Sequence, residues 1–134
     1  MTDREQIKSL IEQAYEARRT ENIDALMAAV HPDCKFEIAG AKPLAQAAGI
    51  AQGHAQLRET LTALIGNFQF VRRDFLNMVI EDGRAAVHSR VVLRFVPNGK
   101  TETTEIIDLW KFENGKIIEL TEFVDTALVN EMMR

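Results

Sequence analysis

The second half of the chain alternates between apolar and polar residues in four runs that three tight-turn sequences separate. The runs are 68–81, 85–96, 103–112 and 116–125, and EDGR, PNGK and ENGK lie between them. Asp-Gly and Asn-Gly between alternating runs are strong signals for β-hairpins. We therefore predict four consecutive antiparallel strands, whose apolar face must be buried against other elements of the chain.

The start of the chain carries helical patterns. The T-x-x-E spacing from Thr2 to Glu5 is typical of a capping box, and apolar residues follow it at helical spacing, so we predict a first helix near 3–19. Asn22 can cap a short second helix with apolar residues on one face of 23–30. The His-Pro pair that follows ends this helix, because the residue before proline avoids the helical region.

The middle of the chain predicts a strand and a third helix. Residues 34–38, CKFEI, alternate as a short strand, whereas 39–52 are small and weakly patterned and could form a loop, a lid or a helical turn. A third helix follows Gly53, with Gly66 expected at its C-cap. With a short helix predicted near 126–134, this order indicates an α+β domain in which three N-terminal helices pack on one face of a curved antiparallel sheet.

Length and composition exclude several classes of protein. The 134 residues predict one domain, 1–134, and a formal charge of −4 without a basic stripe argues against nucleic-acid binding. No apolar run approaches the roughly 20 residues of a membrane helix. Cys34 is the only cysteine and is predicted to point inward, and the N-terminus is charged, so we expect a cytoplasmic protein. No histidine pair has metal-ligand spacing and no G-x-G-x-x-G motif is present, so we predict neither a metal nor a cofactor.

Two carboxylates stand out in the predicted sheet. Asp108 and Glu122 are each the one acid on an otherwise apolar alternating face, close in sequence to Trp110 and Val124 respectively. Whether they share one face depends on the loop lengths of the hairpins that join the strands.

The PNGK hairpin has two registers. A two-residue Asn98-Gly99 turn places Val91 opposite Ile106 and Ser89 opposite Asp108, whereas a three-residue turn puts charged side chains on the apolar face. We predict the two-residue turn, because it joins apolar residues to apolar residues.

The ENGK hairpin offers the same choice. A two-residue turn pairs Glu113 with Lys116 and places Glu122 on the face opposite Asp108. A three-residue turn with a bulge pairs Phe112 with Lys116 and makes the two acids diagonal neighbours on one face. We prefer the three-residue turn, because it keeps the apolar residues of the last strand together.

Two neighbouring carboxylates on an apolar face are poorly solvated and repel each other, so at least one should have a raised pKa. Split pKa values allow one site to hold both an acid and a base. The alternative is structural: one carboxylate is exposed at the end of the sheet or bonded to a helix donor such as Arg18 or Tyr15. The sequence leaves both interpretations open.

The element order, Gly53 before the third helix and the ending IIDLWKFENGKIIELTEFVDTA resemble the ketosteroid isomerase-like, SnoaL-like branch of the nuclear transport factor 2 superfamily. The resemblance covers nearly the whole chain. It implies a strongly bent sheet that wraps the helices into a cone, a cystatin-like α+β roll, with an apolar pocket. It also implies dimers and no cofactor.

The resemblance carries over only part of the isomerase site. In ketosteroid isomerases a neutral aspartic acid and a tyrosine donate to the oxyanion, and a second aspartate is the base. The oxyanion-hole aspartic acid corresponds to Asp108, and the tyrosine falls near Ala14, one residue before Tyr15. The base falls at or near Ile38, which cannot take a proton. Glu122 is our own candidate for a base, from another wall of the cone.

The leading hypothesis is an isomerase, cyclase or lyase that binds a small hydrophobic carbonyl or cyclic substrate, with Asp108 and Glu122 as catalytic residues. Steroid isomerisation itself is not expected, because Ile38 occupies the base position. The residues predicted to contact substrate are Tyr15, Phe36, Ile38, His54, Val91, Trp110 and Val124, with His54 at the mouth of the cone. The alternative is a non-catalytic module that binds a hydrophobic ligand or acts as a dimeric scaffold.

The opposite face of the sheet carries a mixed surface. Val92, Ile107, Leu109 and Phe123 lie there among charged side chains. An apolar centre with a charged rim is typical of a protein interface, so we expect a homodimer through this face, with exposed sheet as the alternative.

Overall fold

The computed structural model describes residues 3–40 and 50–134. They form four helices, α1 (Arg4–Arg19), α2 (Ile23–Ala28), α3 (His54–Asn67) and α4 (Thr126–Met132). The strands are β1 (Val30–Ala39), β2 (Ile50–Gln52), β3 (Phe68–Glu81), β4 (Arg84–Phe95), β5 (Thr101–Glu113) and β6 (Lys116–Phe123). The predicted α+β class is confirmed, with the helices packed against one curved sheet.

The first helix starts as predicted, but with a different cap. Asp3 is the N-cap of α1: its side chain accepts from the backbone N–H of Gln6, and the Gln6 side chain accepts from the N–H of Asp3. Thr2, which we predicted to begin the capping box, lies outside the described residues. The reciprocal bonds satisfy two donors at the helix start. The helix carries the buried residues Ile7 and Ile11 on its inner face.

The other helices depart from the predictions at their ends. Asn22 caps α2 as expected, by accepting from the N–H of Ala25, but the helix ends at Ala28 and the chain is already in β1 at Val30. Gly66 lies inside α3, which continues to Asn67, and is not a C-cap. The strand β2 was not predicted; the rest of that weakly patterned segment, 41–49, lies outside the described residues.

The sheet order is β2-β1-β6-β5-β4-β3. All neighbouring pairs are antiparallel except β1 and β6, which run parallel, so the prediction of a purely antiparallel sheet is wrong at this pair. A parallel pair joins residues far apart in sequence, here Ile38 with Glu122, and no turn signal announces it.

The β4–β5 hairpin is shifted from the predicted register. Val87 lies opposite Asp108 and Ser89 opposite Ile106, because the loop between Phe95 and Lys100 is longer than the predicted two-residue turn. The shift is two residues, and side chains alternate with a period of two, so the predicted face of Asp108 is kept.

The β5–β6 hairpin closes with the turn that we did not prefer. Glu113 pairs with Lys116, but a register shift follows and leaves Ile118 as an extra residue in β6. This β-bulge reverses the alternation once. Glu122 therefore returns to the face of Asp108 and lies directly opposite it rather than diagonally.

Two further irregularities shape β3. Its pairing with β4 shifts between Phe70 and Arg72 and again between Phe75 and Asn77. Bulges bend a strand and increase its twist. The first one also brings Phe70 and Arg73 to the same face although they are three residues apart.

The core lies between the helices and the inner face of the sheet. It is built mainly from α1, α3, β4 and β5, with Ile11, Leu57, Val87 and Trp110 among its buried residues. Asp108 and Ser89 are the buried polar residues among the described positions. Within 3–40 and 50–134, no helix is long and apolar enough to cross a membrane.

Candidate active site

A cavity of about 120 Å³ lies between the helices and the concave face of the sheet. Most of its lining is apolar, with side chains from α1, α3 and five of the strands. The polar or charged residues that line it are Tyr15, Arg18, Cys34, Arg73, Asp108 and Glu122. Apolar walls with a few convergent polar groups are typical of a small-molecule site.

Asp108 lies at the centre of this polar group. It is 2% exposed, on β5, and its carboxyl Oδ2 accepts a hydrogen bond of 2.5 Å from the hydroxyl of Tyr15 on α1. Val87 of β4 lies opposite it on the neighbouring strand. The carboxyl group is therefore held by a fixed donor within an apolar wall.

Glu122 is the direct cross-strand neighbour of Asp108. Its other neighbour in the sheet is Ile38 of β1, so Ile38, Glu122 and Asp108 form a row across three adjacent strands. All three side chains line the cavity. The second carboxylate is thus next to the position where the isomerase resemblance expects a base.

The two carboxyl groups cannot both ionise easily. Burial raises the pKa of Asp108 well above its ordinary value, and the charge of Glu122 raises that pKa further, against the opposing effects of Arg73 and the Tyr15 hydrogen bond. Burial also raises the pKa of Glu122, while the charges of Arg73 and Arg18 lower it. Because the pKa of Asp108 is raised the more strongly, we infer that Asp108 keeps its proton to a higher pH than Glu122 does.

Tyr15 stays a proton donor in this environment. Burial raises the pKa of its hydroxyl, and the neighbouring Asp108 raises that pKa further. The ring stands edge-on to Trp110 with centroids 5.4 Å apart, which fixes the direction of the hydroxyl. Tyr15 and Arg18 are three residues apart on α1 and so face the cavity together.

Arg73 is a cavity residue that the sequence reasoning missed. Its side chain is 10% exposed, and its Nη1 lies 3.9 Å from Asp108 Oδ2. The guanidinium carbon lies over two rings, 3.9 Å from the centroid of Tyr15 and 4.7 Å from that of Phe70. A buried cation packed between aromatic rings is held in place without a carboxylate in hydrogen-bonding contact.

Arg18 is the second cation at the cavity. Its Nη2 donates to the carbonyl oxygens of Leu64, at 3.2 Å, and Phe68, at 2.6 Å, where α3 passes into β3. Its guanidinium carbon lies 4.7 Å from the centroid of Phe70. Burial lowers the pKa of Arg18 to about 10, so the side chain stays charged at neutral pH.

Most of the predicted substrate contacts converge on this cavity. Tyr15, Phe36, Ile38, Trp110 and Val124 line it, together with Asp108 and Glu122. Their roles in catalysis or binding remain predictions.

Two of the predicted contacts lie elsewhere. His54 is exposed at the start of α3, where its Nε2 is 3.3 Å from the carbonyl oxygen of Val30, and it does not line the cavity. Val91 is on the inner face and fully buried, but packing covers it from the cavity. The shift of the β4–β5 hairpin moves Val91 opposite Thr104 and away from Ile106.

Cys34 and the possible metal ligands were the remaining candidates from the sequence. Cys34 is buried as predicted, and burial raises the pKa of its thiol to about 12, which disfavours the reactive thiolate. Among the described residues, no group of three His, Cys, Asp or Glu side chains is placed to hold a metal ion.

Comparisons with known proteins agree with this fold. A family model for the SnoaL-like domain matches residues 11–120, and no curated protein matches the chain. An NTF2-like protein of unknown function from Burkholderia pseudomallei has the same fold, with a TM-score of 0.83, 19% identity, and coverage of 95% of this chain and 96% of that chain.

Two other solved structures carry names that suggest an activity. One, from Bacillus subtilis, is proposed to be an isomerase and has a TM-score of 0.88 at 10% identity, with coverage of 99% of this chain and 96% of that chain. The other, from Xanthomonas campestris, is proposed to be a polyketide cyclase and has a TM-score of 0.77 at 17% identity, with coverage of 98% of each chain. Such low identities show the fold alone. Because the family model spans most of the sequence, the chain belongs to the SnoaL-like domain family, with the NTF2-like fold.

Proposed function

We propose that the protein is a small-molecule enzyme that uses Asp108 and Glu122 for acid–base chemistry of the isomerase, cyclase or lyase type. The observation that carries this proposal is the Tyr15–Asp108–Glu122 group, in which a buried carboxyl group, a half-buried one and a phenol face one apolar cavity. A protein that only needs a packed core has no use for such a group, because burying ionisable side chains costs stability.

The proposed roles follow from the protonation states. Asp108 carries the proton of the pair and is held by Tyr15, so it can donate to an oxyanion that develops on a substrate carbonyl. Glu122 is the ionised partner and abstracts a proton next to that carbonyl. Both steps gain from the apolar walls, because electrostatic interactions are stronger where water is excluded.

Glu122 can also replace the catalytic base that ketosteroid isomerases have and that this chain lacks at Ile38. Ile38 occupies or adjoins that position and cannot accept a proton, but Glu122 is its neighbour on the adjacent strand and lines the same cavity. The base would then come from β6 instead of β1. A base on a different wall of the cone would remove a proton from a different position of the substrate than the base of a steroid isomerase does.

The cavity limits the size of the reacting group. Its volume of about 120 Å³ is comparable to that of an engineered protein cavity of roughly 150 Å³ that binds benzene. The part of the substrate that reaches Asp108 is therefore about one ring in size. The names of the isomerase and the cyclase among the structures of the same fold are in keeping with carbonyl or cyclic substrates.

The second candidate is a non-catalytic binder of a small hydrophobic ligand. The apolar residue Ile38 at the expected base position favours it, and Tyr15 bonded to Asp108 matches the structural alternative for the carboxylate. The two candidates differ in one measurable property. A binder needs no proton transfer, whereas the proposed enzyme needs both carboxyl groups.

Exchange of α-protons tests the proposal without knowledge of the true substrate. Cyclohexanone in D₂O would be followed by NMR with the wild type, Asp108→Asn, Glu122→Gln and the control Glu119→Gln, whose side chain is paired with Lys111 instead. We expect the wild type and the control to accelerate exchange, and each site variant to lose about 100-fold or more of that rate. Equal rates in all four proteins would reject the enzyme and leave the binder.

The outer sheet face supports a proposal about assembly. Ile107, Leu109 and Phe123 are each 44–45% exposed there. Beside them, Arg90 forms an ion pair with Glu105, and His88 is in hydrogen-bonding contact with the same carboxylate. This apolar centre with a charged rim fits a homodimer in which each subunit keeps its own cavity on the opposite face of the sheet.

A further inference from the structure

We infer that the cavity recognises a small monoanion, such as a carboxylate or an ionised enol or phenol attached to a single ring, through the guanidinium group of Arg73. This inference deepens the proposed function by naming the charge of the substrate. That the bound anion is a substrate rests on the proposed function, whereas the binding of an anion does not. Binding itself can be tested separately.

The first observation is a set of buried N–H groups without acceptors. Arg73 Nη1, Arg18 Nη1 and Trp110 Nε1 are all buried without a hydrogen-bond acceptor in the described structure, and all three residues line the cavity. Buried donors in folded proteins are nearly always paired, so three at one cavity need an explanation. An acceptor-rich ligand bound among them would supply it.

The second observation is the charge of the site. Arg18 and Arg73 are both cationic at neutral pH, whereas the carboxyl pair carries one negative charge when it holds one proton. The charge of Glu21 also acts on Arg18 and raises its pKa, so the cation without a carboxylate in hydrogen-bonding contact is Arg73. Burying an unpaired charge is costly, and a bound monoanion would compensate for it.

The third observation is that Arg73 is not used by the carboxylate that is nearest to it. The distance of 3.9 Å from Nη1 to Asp108 Oδ2 is too long for a hydrogen bond, while the Tyr15 hydroxyl occupies that same oxygen at 2.5 Å. The rings of Tyr15 and Phe70 hold the guanidinium by cation–π contacts, which leave its N–H edge available. A planar guanidinium recognises a carboxylate through paired hydrogen bonds.

The anion and the proton chemistry fit together at this site. A ring that places its anionic group at Arg73 lies next to Asp108 and Glu122, which are neighbours across the same sheet face. The charge fixes the orientation of the ring, and the carboxyl pair acts on its carbonyl or acidic C–H. A neutral ring of the same size would enter the cavity without this orientation.

Calorimetric titration with benzoate and its neutral analogue benzamide tests the inference. We expect the wild type to bind benzoate at least about tenfold more tightly than benzamide, a difference of about 1.4 kcal/mol. Arg73→Gln should bring the two affinities within about threefold of each other, because it removes the positive charge that distinguishes benzoate from benzamide. The matched control is Arg72→Gln at the adjacent residue, which is 70% exposed and should keep the wild-type preference.

A second variant keeps the test valid if Arg73→Gln does not fold, which circular dichroism would show. Glu122→Gln removes the negative charge from the site, so benzoate should bind about threefold or more tightly than in the wild type. Equal affinities for the two probes, no binding of benzoate, a preference that survives Arg73→Gln, or weaker benzoate binding in Glu122→Gln would each overturn the anion site.

The two proposals fail separately. A charge preference together with unchanged α-proton exchange in Asp108→Asn would keep the anion site and reject the enzyme. Carboxyl-dependent exchange without a charge preference would keep the enzyme and reject the anion site.

Discussion

Replacement of Tyr15 by phenylalanine isolates the hydrogen bond that defines the site. The variant keeps the aromatic ring, and with it the contacts with Trp110 and the Arg73 guanidinium. It removes only the hydroxyl that donates to Asp108 Oδ2 at 2.5 Å. A buried acceptor that loses its donor costs about 1–3 kcal/mol of folding free energy.

The cost should depend on pH in a defined direction. The Tyr15 hydrogen bond lowers the pKa of Asp108 against burial and Glu122, which raise it, so Tyr15→Phe lets that pKa rise further. A carboxyl group whose pKa is raised on folding stabilises the protein at low pH, and this stabilisation is lost as the pH rises through the folded pKa. The cost of Tyr15→Phe should therefore be near about 1 kcal/mol at low pH and approach about 3 kcal/mol at higher pH.

Urea unfolding at pH 5 and pH 8, followed by Trp110 emission, measures this cost. In an Asp108→Leu background, which has no acceptor, we expect Tyr15→Phe to cost less than about 0.5 kcal/mol, as a double-mutant cycle requires for a direct interaction. A cost that is the same at both pH values, or one that persists in the Asp108→Leu background, would refute the reasoning.

Three further predictions concern single residues. The pKa of Asp108 is raised on folding, so the folded protein retains a proton that the unfolded chain has released above about pH 4. For each such proton the wild type should lose up to about 1.4 kcal/mol of folding free energy per pH unit, until the pH reaches the folded pKa. Asp108→Asn should reduce this fall to the part that Glu122 contributes, and the control Glu119→Gln should keep it in full. Parallel curves for the wild type and Asp108→Asn would contradict the assignment. Burial raises the pKa of Cys34 to about 12, so alkylation by iodoacetamide at pH 8 should be about 100-fold or more slower in the folded protein than in urea, and similar rates would show an accessible thiol. Leu109→Glu should convert the proposed dimer to a monomer in light scattering, whereas a monomeric wild type would reject the interface at Ile107 and Leu109.

The face that carries the two acids could be predicted because sequence alternation is robust. The β4–β5 register was wrong by two residues, which leaves every side chain of Asp108's strand on its predicted face. The β5–β6 turn was wrong, but the bulge at Ile118 reverses the alternation and restores the predicted face of Glu122. The prediction of a shared face is confirmed, although the mechanism that produces it differs.

Arg73 could not be found in the same way, because a bulge lies just before it. Simple alternation from Phe68 and Phe70 puts Arg72 on the inner face and Arg73 outside. The register shift at Val71 exchanges them, so Arg73 faces the cavity and Arg72 faces solvent. No residue type in this stretch marks the bulge.

Pairings between strands that are distant in sequence could not be predicted from local sequence patterns either. The parallel pairing of β1 with β6 brings Ile38 beside Glu122, and it depends on how the whole sheet closes around the helices. Tyr15 was predicted both as a pocket residue and as a structural partner of the carboxylate. The structure shows the hydrogen bond and the lining position together, so these two predictions are compatible.

The central claim is that Asp108 and Glu122 titrate as a pair with raised pKa values while they face a cavity. The most direct measurement is a titration of their side-chain carboxyl carbons by NMR from pH 3 to 9, with Asp108→Asn and Glu122→Gln to assign the signals. We predict two separated steps for the pair, the later one well above the pH at which exposed carboxyl groups titrate, and a single step in each variant. Two carboxyl groups that both ionise near about pH 4, as exposed ones do, would contradict the account. The carboxylates would then be structural, balanced by Arg18 and Arg73.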